Sequence, residues 1–270
     1  MRSKPRGSLT LRAREEMKDK IYLESNGNKL YGLLEGPEPE GRKIPLVLIM
    51  HGYMTHSRMH PFYDLVRALW KEGFATLRFD FNGHGRSEGE LKDMTMTKNI
   101  ADGECFFQYA KSLDLFDEII PLGYSMGALV AGRLAVAHQE EVKRFVMMSP
   151  AANIQTRAVS GNYFGERFDP DNLPDVLVGT EIVLGKAFIE EAKQFDVFHF
   201  LEDYNGDVLL VFGEEDKNVE SVQTYKYRDV IRHLTFVPVS DEDHYWGKHG
   251  DVAVEVIRDF LVKGNERDQR

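Results

Sequence analysis

Polar and hydrophobic positions alternate in two early segments of the chain, and continuous apolar runs follow. Segments 20–25 and 29–35 alternate as half-buried strands do, and Asn26-Gly27-Asn28 between them is a strong hairpin signal. Six later runs predict strands that are buried on both faces of a sheet: 45–50, 74–79, 118–124, 143–148, 207–212 and 234–239.

Apolar residues at three- and four-residue spacing lie between these runs. They predict helices over residues 61–71, 97–113, 126–138, 219–230 and 251–263. Because strands and helices alternate, the pattern predicts an α/β fold with helices on both faces of a mostly parallel sheet of eight strands.

One segment departs from this alternation. Residues 151–206 separate two predicted core strands, and a connection this long needs either structure of its own or a function. We predict a cap, inserted into a core made of residues 17–150 and 207–270. Residues 1–16 carry several basic side chains and no apolar stretch, so we expect an N-terminal extension or leader rather than a secretory signal.

Composition narrows the classes of function. The formal net charge of -10 disfavours binding to nucleic acid or to anionic membranes, and no run approaches the ~20 apolar residues of a membrane span. Cys105 is the only cysteine, so no intramolecular disulfide can form and we expect a cytoplasmic protein. The glycine-rich loop 80–89 lacks the lysine-serine pair of a phosphate-binding loop, and no metal-ligand spacing is found. We therefore expect no metal site.

A serine motif follows the run 118–124. Gly123-Tyr124-Ser125-Met126-Gly127 joins an apolar strand to an apolar helix, which is the context that the nucleophile-elbow pattern G-x-S-x-G requires. The turn places the serine side chain beyond the edge of the sheet, at the positive N-terminal end of a helix. We predict Ser125 as a nucleophile, with an ordinary loop serine as the alternative.

An acid is predicted from chain order. A serine hydroxyl needs a base, and in this arrangement an acid and then a histidine follow the serine along the chain. Asp216 lies in the loop after run 207–212, and we prefer it to Glu214 and Glu215, which are interpreted as solvated loop acids.

The predicted base is His244, in the loop after run 234–239. His249 is its rival, although it falls close to the start of the last helix. Alone, His244 would be read as a surface histidine, and its position after Ser125 and Asp216 favours the catalytic role.

Two backbone donors are expected for a developing oxyanion. One is the N–H of Met126, directly after the serine, and the other is the N–H of Tyr53, after run 45–50. Gly52 lets the backbone approach a substrate there, and His51 is interpreted as orienting the loop.

Five motifs resemble those of bacterial cinnamoyl (feruloyl) esterases of the α/β-hydrolase superfamily, over roughly residues 18–261. They are His51-Gly52-Tyr53, Phe81-Asn82-Gly83-His84-Gly85-Arg86-Ser87, Gly123-Tyr124-Ser125-Met126-Gly127, Ser149-Pro150-Ala151-Ala152 and Phe168-Asp169-Pro170. The resemblance implies an α/β-hydrolase fold and hydrolysis of a small-molecule hydroxycinnamate ester without a cofactor. It assigns the nucleophile to Ser125, the acid to Asp216 and the base to His244; a homodimer is left open.

The chain also departs from that family. Its elbow has Tyr124 and Met126 where histidine and glutamine are usual. In studied members an acidic residue and a tyrosine of the cap bind the phenolic hydroxyl, and the matching positions hold Arg157 and Phe188. These two residues and Phe164 are the candidate substrate contacts, and a more apolar acyl group is an alternative. Since a fold does not fix a substrate, a lipase-like or monoacylglycerol hydrolase, a thioester hydrolase and a non-catalytic binding homologue remain rival interpretations.

Overall fold

The computed structural model describes residues 16–179 and 182–268. The predicted N-terminal extension lies outside these residues, apart from Glu16. The strands are β1 Glu16–Ser25, β2 Asn28–Pro37, β3 Ile44–Met50, β4 Ala75–Phe79, β5 Phe116–Tyr124, β6 Arg144–Met148, β7 Asn162–Tyr163, β8 Glu166–Arg167, β9 Val176–Gly179, β10 Ile182–Gly185, β11 Asp207–Gly213 and β12 Leu234–Val239. The α-helices are α1 Phe62–Lys71, α2 Met96–Ser112, α3 Met126–Ala137, α4 Ile154–Ser160, α5 Lys186–Ala192, α6 Ser221–Tyr225 and α7 Gly250–Asp268.

Eight strands form one sheet in the order β1-β2-β4-β3-β5-β6-β11-β12. The hairpin β1–β2 is antiparallel and joins β4 in antiparallel pairing, whereas the six remaining strands pair in parallel. The predicted eight-stranded, mostly parallel sheet is therefore confirmed. All its parallel strands end at one edge, so the loops that follow them lie side by side.

Helices cover both faces of the sheet, which explains why β3 is buried along its whole length. Alternate residues of β3 point to opposite sides, as the period of a strand requires. Val47 and Ile49 pack with α1 and α7, whereas Leu46 and Leu48 pack with α2 and α3. None of the helices within the described ranges is long and apolar enough to cross a bilayer.

Residues 151–206, here called the cap segment, lie between β6 and β11 and take no part in the large sheet. They contain α4, the small hairpins β7–β8 and β9–β10, and α5. Tyr163, Leu184 and Phe188 of this segment are buried in the same hydrophobic cluster as Leu48 and Met50 of the sheet. The cap segment thus extends the main core.

The helix predicted over residues 219–230 is shorter than expected. The chain forms α6 and then a 3-10 turn over residues 226–229. This tighter turn accompanies the complete burial of Tyr227, whose ring lies 4.9 Å from that of Phe198. Periodicity alone predicts one continuous helix here, and that prediction is wrong. The observed 3-10 turn coincides with a contact between Tyr227 and the cap segment.

Candidate active site

Ser125 lies on a sharp turn between β5 and α3. Its φ of 54° falls in the left-handed region that side chains rarely adopt. A Cβ added at Gly123 would collide with the carbonyl of Gly127, and one added at Gly127 would collide with the carbonyl of Met50. Both flanking glycines are therefore required sterically, and the turn holds the serine in a conformation that costs about 1–3 kcal/mol.

The three residues predicted as a triad are joined by hydrogen bonds. Ser125 Oγ lies 3.0 Å from His244 Nε2, and His244 Nδ1 lies 2.6 Å from Asp216 Oδ2. The second carboxylate oxygen of Asp216 accepts the backbone N–H groups of Asn218 and Val219, both at 2.8 Å. His244 and Asp216 are buried. Backbone donors therefore fix the carboxylate, and the carboxylate fixes the imidazole.

The rival acids point elsewhere. Glu214 accepts hydrogen bonds from Tyr225 and Ser240, and Glu215 is exposed. Neither carboxylate has a hydrogen bond to His244, so the geometry favours Asp216 over both.

Glu242 organises the loop that carries His244. This fully buried carboxylate accepts the backbone N–H of Asp243 at 2.9 Å and of Lys248 at 3.2 Å, and also that of His249. His249 therefore helps to close the loop through its main chain, and His244 is the histidine that reaches the serine.

Tyr124 gives a physical reason for the unusual elbow sequence. Its buried hydroxyl donates to the backbone carbonyl of His244 at 2.9 Å, and its ring lies 5.2 Å from the imidazole. The residue before Ser125 thus positions the loop that carries His244 directly.

Hydrogen bonds to the Gly52 carbonyl fix the orientation of the Gly52–Tyr53 peptide. His51 Nδ1 lies 2.7 Å from the Gly52 oxygen, and the hydroxyl of Thr55 donates to the same oxygen at 2.8 Å. In a trans peptide the C=O and the following N–H point in opposite directions. Fixing this carbonyl therefore turns the N–H of Tyr53 away from the loop interior, and Tyr53 lines a cavity together with Ser125 and Met126.

His51 is a neutral imidazole of defined tautomer. The backbone N–H of Phe81 donates to its Nε2 at 3.0 Å, so the ring proton is on Nδ1 and points at the Gly52 carbonyl. Complete burial, with a contribution from the neighbouring His84, lowers the pKa of His51 to about 3. The orienting role predicted for this residue thus has a specific geometry.

The side chain of Tyr53 connects the same loop to the cap segment. Its hydroxyl donates to the carbonyl of Val183 at 2.9 Å and accepts the N–H of Val183 at 2.8 Å. Burial raises the pKa of this hydroxyl to about 12, so it stays protonated and can make both bonds. The cap strand β10 is thereby tied to the predicted oxyanion loop.

A cavity under the cap segment, here called the inner cavity, opens at Ser125. All three predicted substrate contacts line it. Phe188 is buried, Phe164 is partly exposed, and the guanidinium of Arg157 lies 5.3 Å from the Phe164 ring. Arg157 Nη2 donates to the carbonyl of Asn218 at 2.9 Å, which holds this cation at the wall. The inner cavity therefore offers an apolar, aromatic lining with one fixed guanidinium.

Several residues at the site were not predicted. Asn218, Met54, Thr55 and Tyr245 all line the space around Ser125 and His244, and Val183 binds Tyr53 through its main chain. Sequence adjacency is a signal for two of them, since Tyr245 directly follows the predicted base His244 and Asn218 lies two positions after the predicted acid Asp216. Within the described ranges, no cluster of three or more His, Cys, Asp or Glu side chains is arranged to hold a metal ion.

Comparison with known families agrees with this geometry. The family model described as serine aminopeptidase, S33, matches residues 41–191, which is more than half of the chain. The chain belongs to this family, and its fold is that of an α/β-hydrolase.

The solved structure of Est1E from Butyrivibrio proteoclasticus with bound ferulic acid is 30% identical to this chain. It superposes with a TM-score of 0.85, and the match covers 90% of this chain and 98% of that one. The expected resemblance to feruloyl esterases is therefore confirmed.

Two human relatives match at lower identity. Protein ABHD12B is 23% identical over 81% of this chain, and acylamino-acid-releasing enzyme is 24% identical over 85% of it. The chain spans only 61% of the first protein and 32% of the second. These matches extend the likeness to two human proteins that are considerably longer.

Proposed function

We propose that this protein is a serine carboxylesterase that works through an acyl-enzyme, with esters of hydroxycinnamic or related aryl acids as its substrates. The observation that carries the proposal is the hydrogen-bonded series from Asp216 through His244 to Ser125. A serine, a base and an orienting acid in this order are the parts that acyl transfer needs.

The first step forms the acyl-enzyme. His244 takes the proton of Ser125 as the hydroxyl attacks the ester carbonyl, while Asp216 holds the imidazole and stabilises its charged form. The N–H groups of Tyr53 and Met126 bind the oxyanion, and each such donor contributes about 3 kcal/mol to transition-state stabilisation. His244 then protonates the departing alcohol, and a water molecule repeats the attack to release the acid.

The inner cavity supports an aryl acyl group. Its lining combines Phe164, Tyr163 and Phe188 with aliphatic side chains next to Ser125, and such surfaces favour flat apolar groups. The bound ferulic acid of the 30% identical Est1E structure supports the same class of acyl group.

Active-site labelling tests the reaction type. A fluorophosphonate is expected to modify the wild-type protein and the Ser112→Ala control, in which an exposed serine far from the site is removed. Ser125→Ala is expected to escape labelling and to lose roughly 10⁴-fold or more in kcat. Equal labelling of Ser125→Ala would contradict the proposal.

A substrate panel tests the acyl class. Methyl ferulate is compared with an aliphatic methyl ester of equal size, a monoacylglycerol and an acyl-CoA, and the highest kcat/KM is expected for methyl ferulate. A clear preference for the monoacylglycerol or the thioester would refute the aryl assignment and would leave the serine mechanism intact.

A further inference from the structure

A second concavity meets the inner cavity at Ser125 and His244. We call it the outer groove; its lining also includes Met54, Thr55 and Tyr245. Its large side chains face solvent, since Met54 is 50% exposed and Tyr245 is 58% exposed. By comparison, Tyr163, Leu184 and Phe188, which line the inner cavity, are buried.

Because Ser125 and His244 lie where the two spaces meet, the acyl part of a bound ester would occupy one space and its alcohol part the other. In acyl transfer through Ser125 the acyl group stays bound to the enzyme, whereas the alcohol must leave before water can attack. The alcohol therefore needs the space that opens to solvent, and the acyl group can occupy the buried one.

We propose that the outer groove is the leaving-group site, and that it selects esters whose alcohol carries a flat apolar group such as an aromatic ring. This inference rests on the proposed esterase function and adds a substrate determinant outside the inner cavity.

Tyr245 is the first feature of a built site. Its hydroxyl accepts a hydrogen bond from Asn218 Nδ2 at 2.9 Å, and its backbone N–H donates to Asp243 Oδ1 at 2.8 Å. Its ring meets the imidazole of His244 edge-on, with centroids 5.8 Å apart and an interplanar angle of 88°. The aromatic surface is thus exposed but fixed in orientation, which reduces the entropy that is lost when a ligand packs on it.

Met54 is the second feature. Its φ of 53° lies in the left-handed region, where a residue with a side chain is uncommon. The strained backbone presents a half-exposed thioether beside the site, and such sulfur atoms make favourable contacts with aromatic rings.

Phe164 completes the boundary between the two spaces. It lines both of them and stacks almost parallel on Tyr53, at 6.2 Å with an interplanar angle of 9°. No aspartate, glutamate, lysine or arginine is among the described residues that line the outer groove. The groove therefore fits a neutral alcohol better than one with phosphate groups.

The test uses two butyrate esters that differ only in the alcohol, benzyl butyrate and ethyl butyrate. Values of kcat/KM are compared because they report acylation, the step in which the alcohol is still bound. In the wild type, benzyl butyrate is expected to be favoured roughly tenfold beyond its ratio in alkaline hydrolysis, in line with the energy of a ring contact.

Substitution of Tyr245 locates the effect. Tyr245→Ala is expected to bring the benzyl-to-ethyl ratio close to its alkaline value, because kcat/KM for benzyl butyrate should fall much further than that for ethyl butyrate. Tyr245→Phe keeps the ring and should retain most of the preference. Phe188→Leu, which alters the inner cavity, should change the preference among acyl groups and leave the alcohol ratio unaltered. Met54→Ser provides a second, independent change in the groove and should also lower the ratio.

Three results would overturn the inference: no benzyl preference in the wild type, a ratio unchanged in both Tyr245→Ala and Met54→Ser, or equal losses for both esters. Circular dichroism melting of each variant separates these results from a loss of folded protein. If no ester is cleaved and fluorophosphonate does not react, the proposed function itself has failed, which is a different outcome.

Discussion

The carboxyl edge of the sheet and the cap segment contribute to the site in different ways. Ser125, Asp216 and His244 each lie in the loop after a core strand, and hydrogen bonds of 2.6 and 3.0 Å join them. The cap segment supplies rings and aliphatic groups such as Phe188 and Leu184. Under the proposed function, the edge of the sheet performs the chemistry and the cap segment selects the acyl group.

The two regions meet at one residue. Tyr53 belongs to the core by its backbone, which is oriented through the Gly52 carbonyl, and to the cap by its hydroxyl, which binds Val183. If the core performs the chemistry and the cap segment selects the acyl group, substitutions that alter the hydrogen bonds to the Gly52 carbonyl should affect every substrate. Changes at the Tyr53 hydroxyl should affect only substrates that reach the cap.

The largest effect is expected from His51. His51→Gln can still accept the N–H of Phe81 but places no donor near the Gly52 carbonyl, so kcat should fall about 100-fold for acetate and ferulate esters alike. His51→Asn places an amide donor close to the position of Nδ1 and should recover a large part of that loss. Steady-state kinetics with both esters measure the difference. A loss confined to KM, or an equal loss in the two variants, would argue against orientation of the peptide.

A pH effect on stability is expected from the same residue. In the folded protein, the neutral imidazole of His51 takes up a second proton only near pH 3, whereas in the unfolded chain it does so near pH 6.5. Between these values the unfolded state holds more protons, so the free energy of unfolding falls as pH falls, by up to about 1.4 kcal/mol per pH unit. Urea unfolding of the wild type and of His51→Gln at pH 7, 6 and 5 measures this slope. The two curves should converge toward acid, and parallel curves would refute the assignment.

The smallest effect is expected from Tyr53→Phe. The variant keeps its N–H and loses both bonds to Val183, which should lower the free energy of unfolding by about 1–2 kcal/mol. The KM for methyl ferulate should rise several-fold while kcat for p-nitrophenyl acetate stays within about twofold. Tyr63→Phe, at an exposed tyrosine away from the site, is the matched control. If kcat for the acetate fell as far as activity on ferulate, the separation between core and cap would be wrong.

The sheet and its loops could be predicted because local pattern and chain order determine them. Six apolar runs and two alternating segments predict the eight strands, and the glycines around Ser125 predict the strained turn. The order of serine, acid and base then selected Asp216 and His244 from several candidates, and the geometry agrees with that selection.

Contacts between distant segments could not be predicted in the same way. The bonds from Tyr53 to Val183 and from Tyr124 to the His244 carbonyl join residues more than one hundred positions apart. Each uses a main-chain partner, which leaves no mark on the sequence. The 3-10 turn at 226–229 has a similar origin, since its buried Tyr227 contacts a ring from the cap segment.

The shared burial of cap and sheet side chains limits how this scaffold can be altered. Tyr163, Leu184 and Phe188 lie in one continuous hydrophobic cluster with the strands beneath them. Exchange of the whole insertion for that of a relative would leave mismatched apolar surfaces on both parts. Substrate range in this lineage is therefore expected to change by single replacements within the insertion, each accommodated by its neighbours.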